Sequence, residues 1–254
     1  MFRRTLAAVV GLYAVLAGFT APAVAASTPA IPAATITVSA ASSLTDAFPV
    51  IAAEFEKRYP QIDVRFNFAG SSTLVEQVRG GAPVDVVATA SEPTMAKAVD
   101  AGLVTRPLLF ARNSMAIAMP PGNPARVRSL ADLSRVTVAL CEVTVPCGAA
   151  AASLLQLNGI AVTPVTRELD VRDVLGKVMA DQVDAGIVYV TDVRAAGMKV
   201  TSVAIPANKN VITSYPIAVV KSSPHQAAAK AFVDFVRYTP SAQGILRAKG
   251  FMRP

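Results

Sequence analysis

Short apolar runs alternate with helical patterns along almost the whole chain. The runs that predict buried strands read TITVSAA, DVRFNFAG, VDVVATA, VTVAL, AGIVYV and YPIAVVKSS. Between these runs, apolar residues recur every three or four positions, which indicates amphipathic helices, as with Leu44, Phe48 and Ile51. Regular alternation of strands and helices is typical of an α/β protein that has a mostly parallel sheet with helices on both faces.

The first predicted helix has a start signal and one conflicting residue. Ser43 and Asp46 form a Ser-x-x-Asp start that resembles a capping box, and Pro60 follows the expected end. Pro49 lies inside the pattern, where proline removes a backbone donor. We therefore expect a kink in the second turn of this helix.

The N-terminal segment differs from the rest of the chain. Two arginines precede an apolar stretch, and a small-x-small sequence ends it, in MFRRTLAAVVGLYAVLAGFTAPAVA. This order is typical of a secretory signal peptide, so we predict a cleaved signal over residues 1–25 and a flexible leader over residues 26–34. An uncleaved anchor is the alternative, but Gly11, Gly18 and Pro22 interrupt the apolar run. We expect a periplasmic or secreted protein that is soluble after cleavage.

Charge and length limit the possible partners. The formal net charge of +7 would fall to +5 on loss of the signal's two arginines. A modest positive charge helps an anion to approach. The sequence has no dense run of basic residues interleaved with aromatic ones, so we expect no nucleic-acid partner. The length suits one large α/β domain or two small lobes.

The two cysteines of the chain, Cys141 and Cys147, lie in CEVTVPCG. In an oxidising compartment two cysteines usually pair. A zinc site typically has four Cys or His ligands, whereas the chain has one histidine, His225, and the redox motif Cys-x-x-Cys is shorter than this spacing. We therefore predict a structural disulfide, which would stabilise the fold by about 2 kcal/mol.

Enzyme motifs do not occur in the sequence. It contains no Gly-x-Ser-x-Gly elbow, no phosphate-binding Gly-x-x-x-x-Gly-Lys-Ser/Thr loop and no Gly-x-Gly-x-x-Gly fingerprint. His225 lies at the start of a predicted helix, where a solvent-facing role is usual. We therefore expect neither an enzyme nor a cofactor-dependent protein.

The strand-to-helix junctions contain the candidate chemistry. In parallel sheets, ligands bind beyond the carboxyl ends of the strands. Helix N-termini there have unpaired N–H groups and the positive end of the helix dipole, which together suit an anion. Serine at a helix start is usually only a cap, so no single junction decides the matter. The junctions with small, hydroxylated or glycine residues are residues 41–44, 69–73 and 145–149, and residues 169–172 form a fourth.

Five segments have a further resemblance: ITVSAASSLTDAF, FNFAGSSTLVEQVRGGAPVDVVATAS, VPCG, LDVRDVLGKV and DAGIVYVTDV. From Ile36 to Phe251 the chain resembles the periplasmic molybdate-binding proteins, which are the substrate-binding components of molybdate ABC importers. The resemblance implies a two-lobed, type II periplasmic-binding-protein fold, with a mixed, mostly parallel sheet in each lobe and a ligand cleft between the lobes. Lobe 1 would comprise residues 35–113 and 214–254, and lobe 2 residues 114–213.

The resemblance also implies a ligand set. Ser43 and Ser71 would donate their hydroxyls, Cys147 and Val171 their backbone N–H groups, and Tyr189 its phenol. Cys147 stands where the family often has alanine, and the disulfide would hold its amide toward the cleft. Molybdenum would be present only as the bound oxyanion. The implied protein is a monomer that binds molybdate or tungstate and delivers it to a molybdate ABC permease.

Other ligands are the alternatives to this interpretation. Another tetrahedral oxyanion such as sulfate differs from molybdate mainly in size. Amino-acid carriers need Arg or Asp for the zwitterion, but Arg172 and Asp173 are more simply interpreted as solvated helix charges. A ligand-sensing regulator is disfavoured by the predicted export and the lack of an N-terminal DNA-binding segment. Ferric carriers use tyrosine pairs, whereas the tyrosines of the predicted mature chain lie far apart in sequence: Tyr59, Tyr189, Tyr215 and Tyr238.

Overall fold

The computed structural model describes Met1 and residues 31–254. The predicted signal peptide, apart from Met1, and residues 26–30 of the predicted leader lie outside the described residues. In the part of the chain that is described, no helix is long and apolar enough to span a membrane.

Nine strands and eight α-helices alternate through the described residues. The strands are β1 Ala34–Ala41, β2 Ile62–Ala69, β3 Val86–Ala88, β4 Val104–Met119, β5 Val138–Cys141, β6 Thr166–Glu168, β7 Ala185–Tyr189, β8 Thr201–Ala204 and β9 Ile212–Val220. The helices are α1 Phe48–Arg58, α2 Ser71–Arg79, α3 Glu92–Asp100, α4 Pro146–Leu157, α5 Val171–Met179, α6 Val190–Ala196, α7 Gln226–Tyr238 and α8 Pro240–Ala248. The α/β class predicted from the pattern is confirmed.

The strands form a mixed sheet whose two ends are parallel. The order is β2-β1-β3-β9-β4-β7-β5-β6, and β8 pairs with β4. Strand β1 pairs in parallel with β2 and β3, and β5 pairs in parallel with β6 and β7. Between these groups, β4 pairs antiparallel with β9 through Val104–Ser114 and then with β7 and β8 through Met115–Met119. The long strand β4 therefore connects two groups of parallel strands.

Aromatic side chains fill the core beside the first group of strands. Phe48 and Phe55 of α1 both contact Phe232 of α7, with ring centroids 6.2 and 5.2 Å apart. Phe48 also lies 5.6 Å from Phe110 of β4. All four rings are fully buried. Tilted and edge-on contacts of this kind add to the stabilisation from burial, so α1 and α7 are fixed against the crossing strand.

The first helix begins later than the sequence pattern suggested. Ser42–Leu44 form a single 3₁₀ turn, and α1 starts at Phe48 with no side-chain cap at Ala47. Pro49 is thus in the first helical turn, where its missing N–H would have had no partner within the helix. The predicted capping box and the predicted kink are both wrong, because the helix begins beside the proline and does not run through it.

Candidate functional site

A small, partly open cavity lies at the carboxyl ends of strands from both parallel groups. All five residues predicted to bind the ligand line it: Ser43, Ser71, Cys147, Val171 and Tyr189. The other lining residues are mostly small or apolar: Ala41, Ser42, Gly70, Ala90, Val145, Pro146, Leu169 and Asp170. The structure therefore brings together four junctions that are spread over more than a hundred residues of the sequence.

Helix starts provide the two backbone N–H groups among the five predicted donors. Cys147 is the second residue of α4, and Val171 is the first residue of α5. Backbone N–H groups in a first helical turn have no partner within the helix, and the dipole's positive end lies there. Asp170, the one carboxylate among the described lining residues, accepts hydrogen bonds from the N–H groups of Arg172 and Asp173 at 2.7 and 3.2 Å. Its charge is thus used to cap α5.

The two serines are buried and partly satisfied. Ser43 and Ser71 are 3% and 2% exposed. The hydroxyl of Ser71 accepts a hydrogen bond from the Ala90 N–H at 3.0 Å, and the hydroxyl of Ser43 lies 2.9 Å from the hydroxyl of Tyr215. A serine hydroxyl can donate one hydrogen bond and accept two, so each serine retains capacity toward the cavity.

Tyr189 contributes an unsatisfied donor. Its side chain is 1% exposed, and its hydroxyl has no hydrogen-bond partner among the described residues. Burial, with further contributions from Tyr215 and Asp192, raises the pKa of Tyr189 well above its ordinary value, so the phenol stays protonated. A buried polar group without a partner costs about 1–3 kcal/mol. An anion in the cavity would accept this hydrogen bond.

The predicted disulfide joins Cys141 to Cys147. It connects the last residue of β5 to the second residue of α4 and closes the loop between them. The next residue, Gly148, has no room for a side chain, because a Cβ there would lie 1.8 Å from the carbonyl oxygen of Glu142. The disulfide and the glycine together hold this loop tightly at the cavity wall.

Sequence reasoning missed a polar cluster behind the cavity. Tyr215 and Asn113 are fully buried, and the Asn113 Nδ2 donates to the Tyr215 hydroxyl at 3.3 Å and to Thr191 Oγ1 at 2.8 Å. The Tyr215 ring lies 6.0 Å from that of Tyr189. The two tyrosines are far apart in sequence but close in the fold, because β7 and β9 both pair with β4. Their separation in the sequence was therefore a poor argument against a tyrosine pair. Burial raises the pKa of Tyr215, so it too stays protonated.

Arg172 is not the solvated helix charge that the sequence suggested. It forms ion pairs with Asp46 and with Asp192, the latter at 3.2 Å. Asp192 is fully buried and also accepts the N–H of Tyr189 at 3.0 Å. Burial raises the pKa of Asp192 to about 7, and the charge of Arg172 opposes that rise. Arg172 directly follows the lining residue Val171, so its two acidic partners lie near the cavity wall. Asp173 is exposed, as predicted.

Two contacts join the strand groups across the cavity. Ser72 of α2 donates to the carbonyl oxygen of Thr144, in the disulfide-closed loop, at 3.0 Å. Gly70, after β2, packs so tightly against the segment after β6 that a Cβ would lie 2.3 Å from the carbonyl oxygen of Leu169. The cavity walls are therefore in direct contact on this side.

The cavity chemistry favours an anion over a metal cation. Residues 31–254 contain no cluster of three or more His, Cys, Asp or Glu side chains that could hold a metal ion. The groups available at the wall are hydroxyl and amide donors. None of the described lining residues is basic, so any anion bound there would be held by hydrogen bonds without a counter-charge.

Residues 36–252 match the family model for the bacterial extracellular solute-binding proteins. The chain belongs to this family. Among its relatives, the molybdate-binding protein ModA of Mycobacterium tuberculosis strain H37Rv is 41% identical over 216 residues, covering 84% of this chain and 82% of that protein. The molybdate-binding protein ModA of Escherichia coli K12 is 33% identical over 226 residues, covering 83% and 86%.

Solved structures share the fold of this solute-binding protein. The periplasmic molybdate-binding protein of Azotobacter vinelandii matches with a TM-score of 0.76 at 20% identity, covering 86% of this chain and 99% of that one. The sulfate-binding protein SubI of Mycobacterium tuberculosis H37Rv matches with a TM-score of 0.74 at 21% identity, covering 87% of each chain. The predicted periplasmic-binding-protein fold is confirmed.

Proposed function

We propose that this solute-binding protein binds molybdate outside the cytoplasmic membrane and delivers it to the permease of an ABC importer. The observation that carries the proposal is the convergence of five neutral hydrogen-bond donors on one small cavity. The molybdate-binding relatives at 41% and 33% identity support the choice of ligand. The five donors are Ser43, Ser71, Cys147, Val171 and Tyr189.

The chemistry of molybdate suits such a cavity. Molybdate is a dianion that carries no proton at neutral pH, so it needs donors and no acceptor. Hydrogen bonds to charged groups contribute about 1.5–3 kcal/mol each. Five of them sum to about 7.5–15 kcal/mol, a range that includes the roughly 12 kcal/mol of nanomolar binding and leaves a modest surplus only at the upper values to offset ordering.

Selectivity follows from the same donors. Hydrogenphosphate brings a proton that requires an acceptor, and backbone N–H groups cannot accept it. Tungstate has the same charge and shape as molybdate and should bind alike. Sulfate is the harder competitor, because it differs mainly in size.

We propose that no cofactor and no catalysis are involved, and that the protein acts as a monomer without a nucleic-acid partner.

We further propose that the cavity lies between two lobes, residues 35–113 with 214–254 and residues 114–213. Strand β4 supports this division, because its pairing changes from β9 to β7 and β8 near Ser114. Ligand binding would close the lobes, and the closed form would dock on the permease.

We also propose cleavage of the signal near Ala26, which mass spectrometry of the exported protein would check.

Calorimetric titration with molybdate, tungstate, sulfate and phosphate tests the function. We expect tight binding of molybdate and tungstate only. The double variant Ser43→Ala/Ser71→Ala should bind molybdate at least a hundredfold more weakly. It should remain folded, with a melting temperature lowered only by the loss of the Tyr215 and Ala90 hydrogen bonds. The double variant Ser153→Ala/Ser202→Ala, at two exposed serines, is the control. Folded wild-type protein that gives no heat with molybdate would contradict the proposed ligand, and unchanged affinity in the first variant would contradict the site.

A further inference from the structure

We propose that Asn113 and Tyr215 are positioning residues that fix the direction of the Ser43 hydroxyl, so that the site selects oxyanions without a proton. Neither residue lines the cavity, and both are fully buried behind it. The inference rests on the proposed oxyanion-binding function and adds the source of its selectivity. One hydrogen-bond chain runs from Asn113 through Tyr215 to Ser43.

The orientation of the Asn113 amide is fixed by its neighbour. Its Oδ1 accepts the backbone N–H of Ser114 at 3.0 Å. The Nδ2 therefore faces Thr191 Oγ1 at 2.8 Å and the Tyr215 hydroxyl at 3.3 Å. An amide nitrogen has two protons and accepts nothing. Tyr215 must therefore accept from Asn113.

Tyr215 can then donate in one direction. A phenol has a single proton, and the remaining hydrogen-bond partner of the Tyr215 hydroxyl among the described residues is Ser43 Oγ, at 2.9 Å. The Tyr215 proton is therefore directed at Ser43, which accepts it. The proton of Ser43 is left to point into the cavity, which Ser43 lines. Hydrogen bonds aligned in this way polarise and strengthen one another.

The hydroxyl of Ser71 is also oriented by a donor, which here is a backbone group. The backbone N–H of Ala90 donates to Ser71 Oγ at 3.0 Å, so its proton is also free to point into the cavity. Both serines thus present protons. Because Tyr215 already donates to Ser43 Oγ, Ser43 could accept a ligand proton only with its second lone pair, and its own proton would then turn away from the ligand. A protonated oxyanion would therefore lose a hydrogen bond that an unprotonated one accepts.

The variant Tyr215→Phe removes the second link of the chain and retains the ring. The ring contacts Phe110 and Phe251, at centroid distances of 6.3 and 5.4 Å, and phenylalanine can keep both contacts. Without the phenol, the Ser43 hydroxyl can rotate and accept. In competition titrations, the ratio of molybdate affinity to phosphate affinity should fall about tenfold. The control Tyr238→Phe, at an exposed tyrosine, should leave the ratio unchanged.

A purely structural role predicts a different result. If Tyr215→Phe weakens both ligands equally and the ratio stays at the wild-type value, the proposal is overturned. Should wild-type protein bind sulfate and not molybdate, the proposed function fails separately. The ratio of sulfate affinity to phosphate affinity, in Tyr215→Phe against wild type, then tests the positioning role, because sulfate is also unprotonated.

Asn113→Asp provides a second test with a pH readout. The substitution replaces the donating Nδ2 by an oxygen, so an ionised carboxylate at this position would attract the Tyr215 proton and reverse the chain. We expect molybdate affinity to fall more than tenfold at pH 8 and to recover as the pH is lowered toward 5, because a protonated carboxyl can donate again. Wild-type protein is the reference at each pH. A loss of affinity in the variant that is the same at every pH would contradict the proposal.

Discussion

The five hydrogen-bond donors that we propose at the cavity are all neutral groups, and this affects the energetics of binding at the scale of single residues. The basic side chain nearest in sequence to the donors, that of Arg172, is engaged by Asp46 and Asp192. A buried cation at the ligand would have to lose its hydration shell, whereas hydroxyl and amide donors lose much less. Neutral donors also leave the choice of ligand to the number and direction of hydrogen bonds.

The hydroxyl of Tyr189 predicts opposite effects on binding and stability. Because this buried group has no partner in the described part of the chain, Tyr189→Phe should raise the melting temperature of the ligand-free protein or leave it unchanged. The same variant should lose about tenfold or more in molybdate affinity, since one hydrogen bond to a charged ligand is removed. Calorimetry and thermal unfolding measure the two effects. A drop in melting temperature would show that the hydroxyl has a partner in the ligand-free protein.

Asp192 predicts a pH dependence of stability. Its pKa is raised by burial from 3.8 to about 7, although Arg172 opposes the rise. Between these two values the folded state holds a proton that the unfolded state has lost. The contribution of Asp192 to the free energy of unfolding therefore falls as the pH rises toward about 7. The melting temperature of Asp192→Asn, relative to that of wild type, should rise between pH 5 and pH 8. The melting temperature of Asp181→Asn, at an exposed site, should follow that of wild type. Parallel curves for all three proteins would refute the linkage.

At the scale of elements, the sequence predicts best the strands that lie in the parallel groups. Strands β1, β2, β5 and β7 have mostly apolar sequences that follow directly from the pattern. The junctions after them could be recognised as candidate anion sites because they start helices. Which junctions meet could not be worked out from local patterns, since it depends on the strand order. The family resemblance provided that part, and the five predicted residues do line one cavity.

The crossing strand β4 and helix α6 escaped prediction for local reasons. Strand β4 contains Pro107 and irregular pairing with β9 between Thr105 and Leu108, so its period-two pattern is broken. Helix α6 follows β7 without any loop, and the apolar run AGIVYV hides its start. The cluster of Asn113 and Tyr215 lies on β4 and β9, so it could not be predicted without these crossing strands.

The close contact between Gly70 and Leu169 leads to a prediction at the scale of elements. Its φ of −60° and ψ of 135° suit any residue, so only the contact with Leu169 limits its size. Gly70→Ala should therefore keep each strand group folded but separate the cavity walls, with molybdate affinity reduced at least tenfold by calorimetry. Gly80→Ala, whose Cβ would have only ordinary contacts at 3.5 Å, is the matched control. Equal affinities for the two variants would show that the walls can separate without loss of binding.

For the whole molecule, the crossing strands and the contacts across the cavity have opposite roles. Strands β4 and β9 connect the two groups of parallel strands permanently. The Ser72–Thr144 hydrogen bond and the Asp46–Arg172 ion pair join the groups at the cavity, beyond the ends of the strands. If the walls separate, as we propose for the ligand-free protein, the contacts at the cavity would break and the crossing strands would remain paired. A ligand that touches both walls would favour the arrangement in which the contacts at the cavity are formed.

The Asp46–Arg172 pair is the part of this arrangement that can be removed most cleanly. Asp46→Asn leaves Arg172 paired with Asp192, and the pair that it breaks is partly exposed, with side-chain exposures of 40% and 26%. Such pairs contribute about 0.2–1 kcal/mol. If the pair forms only when the walls meet, its loss should weaken molybdate binding about two- to fivefold, with little change in melting temperature.

The matched control is the Asp63–Arg65 pair on β2, which lies within one strand and away from the cavity. Asp63→Asn removes a similar exposed interaction, so it should leave the affinity at the wild-type value. Small-angle scattering of the Asp46→Asn variant should require more molybdate than wild type to reach the compact, ligand-bound profile. If instead Asp46→Asn and Asp63→Asn bind molybdate equally well, the ion pair across the cavity does not contribute to closure, and the contacts of Ser72 and Gly70 must account for it.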